Sequence, residues 1–252
     1  MILEYLRPKN LDEGLKLLAR TDQKTIPLGG GTFISHGVSE PVAVIDLQEL
    51  PLKQISRQGN FLHVGATVTL QKLLESPETS PELADVLHSE ATLNIRNMAT
   101  VAGTLVTADG RSPFTTALLA LDAKLSIQPE NIEIPLGDWL PQRSSRNLQS
   151  LIVEVIIPVQ PVLKYEMVAR SPADQPIVCV AIGEWPSGRT RVALGGTGAA
   201  PILAMDGPEK GGADVAVENA YSQASDAFGS AEYRSQAVKV LTARMLPLGE
   251  NK

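Results

Sequence analysis

The sequence predicts an α+β fold in two parts, on three observations. Several helix-period apolar stretches begin at capping residues, short β-branched runs stop at Gly or Pro, and the pattern changes at Pro158–Pro161. Strands and helices intermix from Met1 to Pro158, with a subdivision near residue 50 (about 1–50 and 51–158). From residue 161 to 252 a smaller part reads as strands followed by two helices.

Asn10 can cap a helix and Glu13 can close a capping box, so Leu11, Leu15 and Leu18 form the apolar face of a helix over Leu11–Arg20. Lys24–Leu28 reads as a brief extended run, and Val42–Leu47 as a buried strand. Ile55 and Phe61–Val64 flank Gln58-Gly59-Asn60, a hairpin-turn sequence. Thr69 can cap a helix carrying Leu70, Leu73 and Leu74, and Pro81–His88 opens another with proline in its first turn. Asn94–Thr104 is small, polar and without a clear period, which predicts a ligand-wrapping loop or a plain surface connection. A helix is expected around Phe114–Leu121 and a strand over Leu151–Ile157. Beyond Pro161, strands are expected at Tyr165–Val168, Ile177–Ile182 and Arg189–Leu194. Ala204–Gly212 reads as a Pro/Gly-rich connection, followed by helices over Asp214–Phe228 and Glu232–Leu246.

The composition narrows the function. With 252 residues the chain can bury a real core, and 43% hydrophobic residues fit an ordinary globule. A net charge of −6 argues against binding to nucleic acid or an anionic membrane. The single cysteine, Cys179, leaves no intramolecular disulfide and no multi-cysteine cluster or zinc site, and His36, His63 and His88 are scattered. No apolar run reaches the ~20 residues of a spanning helix, and Met1–Asn10 lacks a signal-peptide profile. The expectation is a soluble, cytoplasmic protein whose redox chemistry, if it has any, comes from a bound cofactor.

Two glycine-containing loops are the candidate site. Gly29-Gly30-Gly31-Thr32 follows a short strand, and such glycines let backbone N–H groups approach an anion. It is neither a Walker A loop nor a Gly-x-Gly-x-x-Gly fingerprint, and a tight turn explains it equally well. Thr100-Val101-Ala102-Gly103-Thr104 again joins small residues to two hydroxyls. Together the two loops could clamp one extended diphosphate. Taken singly, Thr32 and Thr104 could satisfy turn backbone, Asp109 could form an Asx turn, and Arg96 and Arg111 could be surface ion-pair partners. His36 reads as a solvated loop residue, Tyr165 as a half-buried strand residue, and Cys179 as a small core residue.

In order and spacing these segments resemble the FAD-binding medium subunit of the molybdenum hydroxylases, the group of carbon monoxide and xanthine dehydrogenases. The resemblance runs through Tyr5-Leu6-Arg7-Pro8, Leu28–Thr32, Val44–Leu47, Gly65–Thr69, Ile95–Leu105 with Ala108-Asp109, and Leu118–Ala123. It continues through Tyr165-Glu166, Arg170, Asp174, Val192–Gly196 and Ser230–Arg234. It implies a two-part FAD-binding domain of the PCMH type over residues 1–158 and a C-terminal domain of the carbon monoxide dehydrogenase flavoprotein type over 161–252. By that resemblance Gly29, Gly30, Gly31, Thr32, Phe33 and Ile34 hold the pyrophosphate. Thr100, Gly103, Thr104 and Asp109 contact it or the adenosine side, and Tyr165 lies toward the isoalloxazine. The implied activity is electron transfer from a small [2Fe–2S] subunit to NAD, a quinone or oxygen, beside a large molybdopterin subunit. No side chain here need then act as acid, base or nucleophile.

Four positions depart from the family pattern. Ala102 and Thr104 stand where Gly-Gly-Asn is usual, Pro113 follows Ser112 where an aspartate is usual, and Met167 replaces a common lysine. The first three motivate an alternative, a structural or assembly subunit that keeps the fold without FAD.

Overall fold

The computed structural model describes residues 1–34, 40–144 and 149–246. In chain order the first elements are β1 (Ile2–Leu6), α1 (Leu11–Leu18), β2 (Thr25–Leu28), β3 (Val42–Asp46), β4 (Ile55–Gln58) and β5 (Phe61–Gly65). Five helices follow: α2 (Leu70–Leu74), α3 (Pro81–Glu90), α4 (Leu93–Arg96), α5 (Val101–Thr107) and α6 (Pro113–Ala120). Then come β6 (Lys124–Gln128), β7 (Ile132–Pro135), α7 (Leu136–Trp139), β8 (Leu151–Pro158) and β9 (Val162–Val168). The last are β10 (Val178–Glu184), β11 (Thr190–Gly195), β12 (Ile202–Gly207), α8 (Ala213–Ala220) and α9 (Ala231–Met245). The fold is α+β, as the sequence predicts.

The chain forms two compact units, Met1–Glu78 with Leu93–Thr107 and Lys124–Ile157, and Thr79–Thr92 with Ala108–Ala123 and Pro158–Lys252. Two stretches from before Pro158 thus belong to the second unit.

In the first unit β3 lies between β1 and β2, parallel to both, and all five of its residues are buried. That explains its unbroken apolar run, since a central parallel strand is covered on both faces. Asn10 caps α1 by accepting the Glu13 N–H at 2.9 Å. The Glu13 carboxylate reaches back to the Lys9 N–H at 2.8 Å, one residue beyond the ordinary capping box. The second sheet of this unit runs β4-β5-β8-β6-β7, with β4 and β5 joined by the hairpin at Gly59, whose φ of +58° suits glycine. Thr69 caps α2 through the Lys72 N–H, as expected from its position.

In the second unit the antiparallel sheet runs β12-β11-β10-β9. Side chains of β10 alternate between its faces. Val178, Val180 and Ile182 join Val217, Tyr221, Val238 and Leu241 of the α8–α9 side in one apolar cluster. Cys179 and Gly183 face α6: the thiol lies 3.6 Å from the Thr116 hydroxyl, and a Cβ on Gly183 would stand 2.6 Å from the Ala120 carbonyl. Small residues on that face let α6 pack closely, and every residue of α6 is buried. Ser112 caps α6 and Pro113 takes its first position, so this departure from the family pattern is a regular helix start.

Several expectations need correction. Asn94–Thr104 is not one loop: it holds α4 and the start of α5, whose short spans of small residues carry too little periodicity to read. Ala204–Gly212 is not wholly a connection, because Ile202–Gly207 pairs antiparallel to β11 as the edge strand β12. The helix expected over Asp214–Phe228 ends as α8 at Ala220, where Tyr221 turns inward to donate to the Gly195 carbonyl. Strands β1, β6 and β7 and helix α7 were not foreseen, although β6 alternates polar and apolar residues with Leu125 and Ile127 buried. The reading of His36 lies outside the described residues.

Candidate functional site

The glycines after β2 are fixed by close packing within the first unit. A Cβ on Gly30 would stand 1.5 Å from the Met98 carbonyl oxygen, and one on Gly29 would stand 2.7 Å from Thr100 Oγ1. Gly31 has a φ of +73°, a left-handed conformation that favours glycine. The first loop therefore lies directly on the segment that enters α5, and only glycine admits that approach. Among the described residues, the N–H groups of Gly30, Gly31 and Phe33 have no hydrogen-bond acceptor. Unpaired N–H groups close together in one loop are suited to an anionic oxygen.

The second loop is organised by Thr100. Its hydroxyl accepts the Gly103 N–H at 3.1 Å, capping α5, and its carbonyl accepts the Thr104 N–H at 2.8 Å and the Thr104 hydroxyl at 2.9 Å. The Val101 and Ala102 N–H groups bond to the Val68 and Ala66 carbonyls at 2.8 and 3.2 Å. The first-turn donors of α5 are thus already paired, and of the two loops it is the first that offers N–H groups. A Cβ on Gly103 would stand 2.7 Å from Thr100 Oγ1, so Gly29 and Gly103 pack against the same side chain.

Both loops line one cavity of about 370 Å³, within the range of small-molecule sites. Gly29, Gly30, Gly31, Thr32, Phe33, Ile34, Thr100 and Gly103 all contribute to its wall. Thr107 and Ser150 add polar groups to the wall, and Ile127, Trp139, Leu151 and Ile152 add apolar surface. Among the described residues no carboxylate lines it, although the chain carries a net charge of −6. Among the described residues one charged side chain does, Arg143, which donates to the Leu105 carbonyl at 3.2 Å. Arg143 follows a 3-10 turn at Leu140–Gln142, and nothing in its local sequence marks it. Trp139, Leu151 and Ile152 were also not anticipated in the site; the strand pattern of the last two signals burial and not a ligand.

The remaining sequence-predicted residues do not line this cavity. The Thr104 side chain is engaged within α5. Asp109 and Tyr165 belong to the second unit. Asp109 accepts the Arg111 N–H at 2.8 Å in an Asx turn, while Arg111 donates to the Gln175 and Pro176 carbonyls and stacks on Phe228 at 3.9 Å. Arg96 is buried, not at the surface, and donates to Gln71 Oε1 at 3.0 Å.

Tyr165 sits within the second unit, its buried hydroxyl oxygen without a hydrogen-bond partner at normal distance. Burial raises its pKa, with the Cys179 thiol and the Glu90 carboxyl as neighbouring influences. Burial likewise pushes the Cys179 thiol up to about 12. Glu90 meets the start of α6, accepting the Phe114 N–H at 2.8 Å and the Ser112 hydroxyl at 2.9 Å. Burial pushes its carboxyl up to about 7, against the lowering effect of those two donors.

Residues 1–160 match the model of a family described as the FAD binding domain in molybdopterin dehydrogenase. The chain is 27% identical to the glyceraldehyde dehydrogenase medium chain of Sulfolobus acidocaldarius, over 95% of each chain. It is 26% identical to the nicotine 6-hydroxylase medium subunit of Paenarthrobacter nicotinovorans, covering 97% of this chain and 96% of that one. The structure of quinoline 2-oxidoreductase from Pseudomonas putida 86 superimposes with a TM-score of 0.81 at 25% identity, covering 96% of this chain and 94% of the other.

Proposed function

The chain belongs to the family of FAD-binding domains in molybdopterin dehydrogenases, and on that premise we propose that it is the electron-transfer flavoprotein subunit of a cytoplasmic molybdenum hydroxylase, assembled with a large molybdopterin subunit and a small [2Fe–2S] subunit. FAD is the cofactor that the family brings, and when bound it supplies the redox chemistry that accepts electrons from the [2Fe–2S] partner and passes them to NAD, a quinone or oxygen.

The observation that carries this reading is the convergence of the two loops on one cavity, which no carboxylate among the described residues lines. Gly30, Gly31 and Phe33 present N–H groups suited to phosphate oxygens, so the protein can bind the diphosphate with little basic charge. Thr100 holds the second loop against the first and keeps Gly103 at the wall. Trp139, Ile127, Leu151 and Ile152 give the apolar surface that a ring system requires and exclude water from it. Thr104 and Asp109 then act through local structure, and Tyr165 is proposed to lie toward the isoalloxazine.

The departures that suggested a scaffold without FAD do not fill the cavity. Ala102 adds only a methyl group to the wall, in a helix that alanine favours, and neither Thr104 nor Pro113 lines it. The test is rapid mixing of the FAD-loaded chain with the reduced [2Fe–2S] subunit of its own complex. The reading predicts bleaching of the flavin band, then recovery with one of the three acceptors. A flavin band that persists beside the reduced partner would contradict it.

A further inference from the structure

We propose that Gln71 and Arg96 are positioning residues of the cavity: as a pair they hold the backbone on which the first loop rests, and so set the N–H groups that meet a diphosphate; this rests on the reading of the site as an FAD site. Helix α4 is a single turn, too short to hold its own shape. Its apolar side chains do not anchor it, since Leu93 and Ile95 are 54% and 43% exposed, as is Met98 just beyond it at 54%. The residue that turns inward is Arg96, the one buried residue of α4. A buried guanidinium is costly unless acceptors replace the water it loses.

Gln71 of α2 supplies such an acceptor, taking the Arg96 Nε–H on its Oε1 at 3.0 Å. The Gln71 amide nitrogen in turn donates to Glu75 Oε1 at 2.7 Å, which fixes the amide with its oxygen toward Arg96. The neighbouring residue of α2 makes a second anchor, the Leu70 N–H donating to the Ala99 carbonyl at 2.9 Å. The Met98 residue lies between these two anchors, and its carbonyl oxygen is the atom that leaves no room for a Cβ on Gly30. Both anchors come from consecutive residues of α2. A shift at either is therefore passed to the surface under Gly30, and with it to the N–H groups of Gly30, Gly31 and Phe33. Neither Gln71 nor Arg96 lines the cavity, so the pair acts through the backbone and not by touching the ligand.

The experiment compares the wild-type chain with Gln71→Leu, Gln71→Glu, Arg96→Lys and the double variant Gln71→Leu with Arg96→Lys. Gln71 is only half-buried, and melting of each ligand-free protein shows whether the fold is kept. Arg96→Lys, which removes the Nε donor and keeps the charge, serves if Gln71→Leu is unstable. The readouts beyond stability are the amide NMR signals of Gly30, Gly31 and Phe33 without ligand, and titration with FAD and ADP. The proposal predicts that Gln71→Leu shifts those signals and weakens both ligands by about 5- to 20-fold, while Gln71→Glu, which keeps the acceptor, stays within about 2-fold of wild type. The loss in the double variant should fall well short of the product of the two single losses, because the side chains act as one unit. Unmoved first-loop signals, unchanged FAD and ADP affinity in Gln71→Leu, or equal losses in Gln71→Leu and Gln71→Glu would overturn it. If the wild type bound ADP but not FAD, the functional reading would fail alone, and ADP binding that depends on Gln71 would still support the positioning role. Binding of neither ligand would overturn both.

Discussion

Substituting Gly30→Ala places a methyl group where the structure leaves no room. The added Cβ would stand 1.5 Å from the Met98 carbonyl oxygen, 2.4 Å from the Met98 carbonyl carbon and 3.2 Å from the Ala99 nitrogen, all backbone atoms. To restore a contact of about 3 Å the first loop must retreat from the second by roughly 1.5 Å. Overpacking of this kind costs about 1–3 kcal/mol, which at roughly 2–4 °C per kcal/mol lowers the melting temperature by several degrees. The same shift moves the Gly30, Gly31 and Phe33 N–H groups, and losing one charge-assisted bond of about 1.5–3 kcal/mol weakens FAD binding by at least about 10-fold. Gly59→Ala is the control: Gly59 has a φ of +58°, but a Cβ there meets nothing within 4 Å, and the residue lies in the β4–β5 hairpin. It should cost about 1–2 kcal/mol through backbone strain and leave FAD affinity unchanged. The assays are thermal melting without ligand and fluorescence titration with FAD. A Gly30→Ala protein that melts and binds FAD like the wild type would refute the close docking of the two loops.

Three further outcomes are expected. The folded Glu90 carboxyl keeps its proton up to about 7 against a usual value of 4.5, so the native state binds the extra proton between those limits and stability falls as pH rises through that window. Glu90→Gln should therefore gain stability relative to wild type, by up to about 3 kcal/mol, between pH 4.5 and 7, read from urea midpoints at several pH values; a difference independent of pH would contradict this. Arg234 is fully buried, donating to the carbonyls of Ile177, Gly196, Ala224 and Gly229 and pairing with Asp226 at 2.7 Å. Arg234→Met should cost about 3 kcal/mol or more by calorimetry, because those acceptors and a carboxylate lose their partner together; a loss under about 1 kcal/mol would show the network to be dispensable. The Cys179 thiol, buried and pushed up to about 12, should resist an aromatic disulfide reagent in the folded protein and react in denaturant; fast reaction under native conditions would show that the β10–α6 layer opens.

Local signals with one physical cause were legible in the sequence. Asn10 and Thr69 cap helices because a short polar side chain before an apolar period satisfies a free N–H wherever the chain then packs. Val42–Leu47 reads as a buried strand because β3 lies between two parallel neighbours. What the sequence conceals depends on partners distant along the chain. Helix α5 starts at Val101 because the Val68 and Ala66 carbonyls take its first two N–H groups, and β12 forms because β11 offers an edge. The site divides in the same way: Gly29–Thr32, Thr100 and Gly103 were legible as small-residue motifs and Phe33 and Ile34 through the family resemblance, whereas Arg143 and Trp139 reach the cavity only through tertiary placement. Ser112–Pro113, a departure in the family frame, is explained by capping of α6 and by the Glu90 contact.

The most direct measurement is an absorbance scan of the chain purified without added flavin, followed by titration with FAD. The account predicts a bound-flavin band near about 450 nm, or saturable binding of one FAD per chain at low-micromolar or tighter affinity. A colourless protein that takes up no FAD at tens of micromolar, about ten times that affinity, would contradict the claim that its two glycine loops form an FAD site.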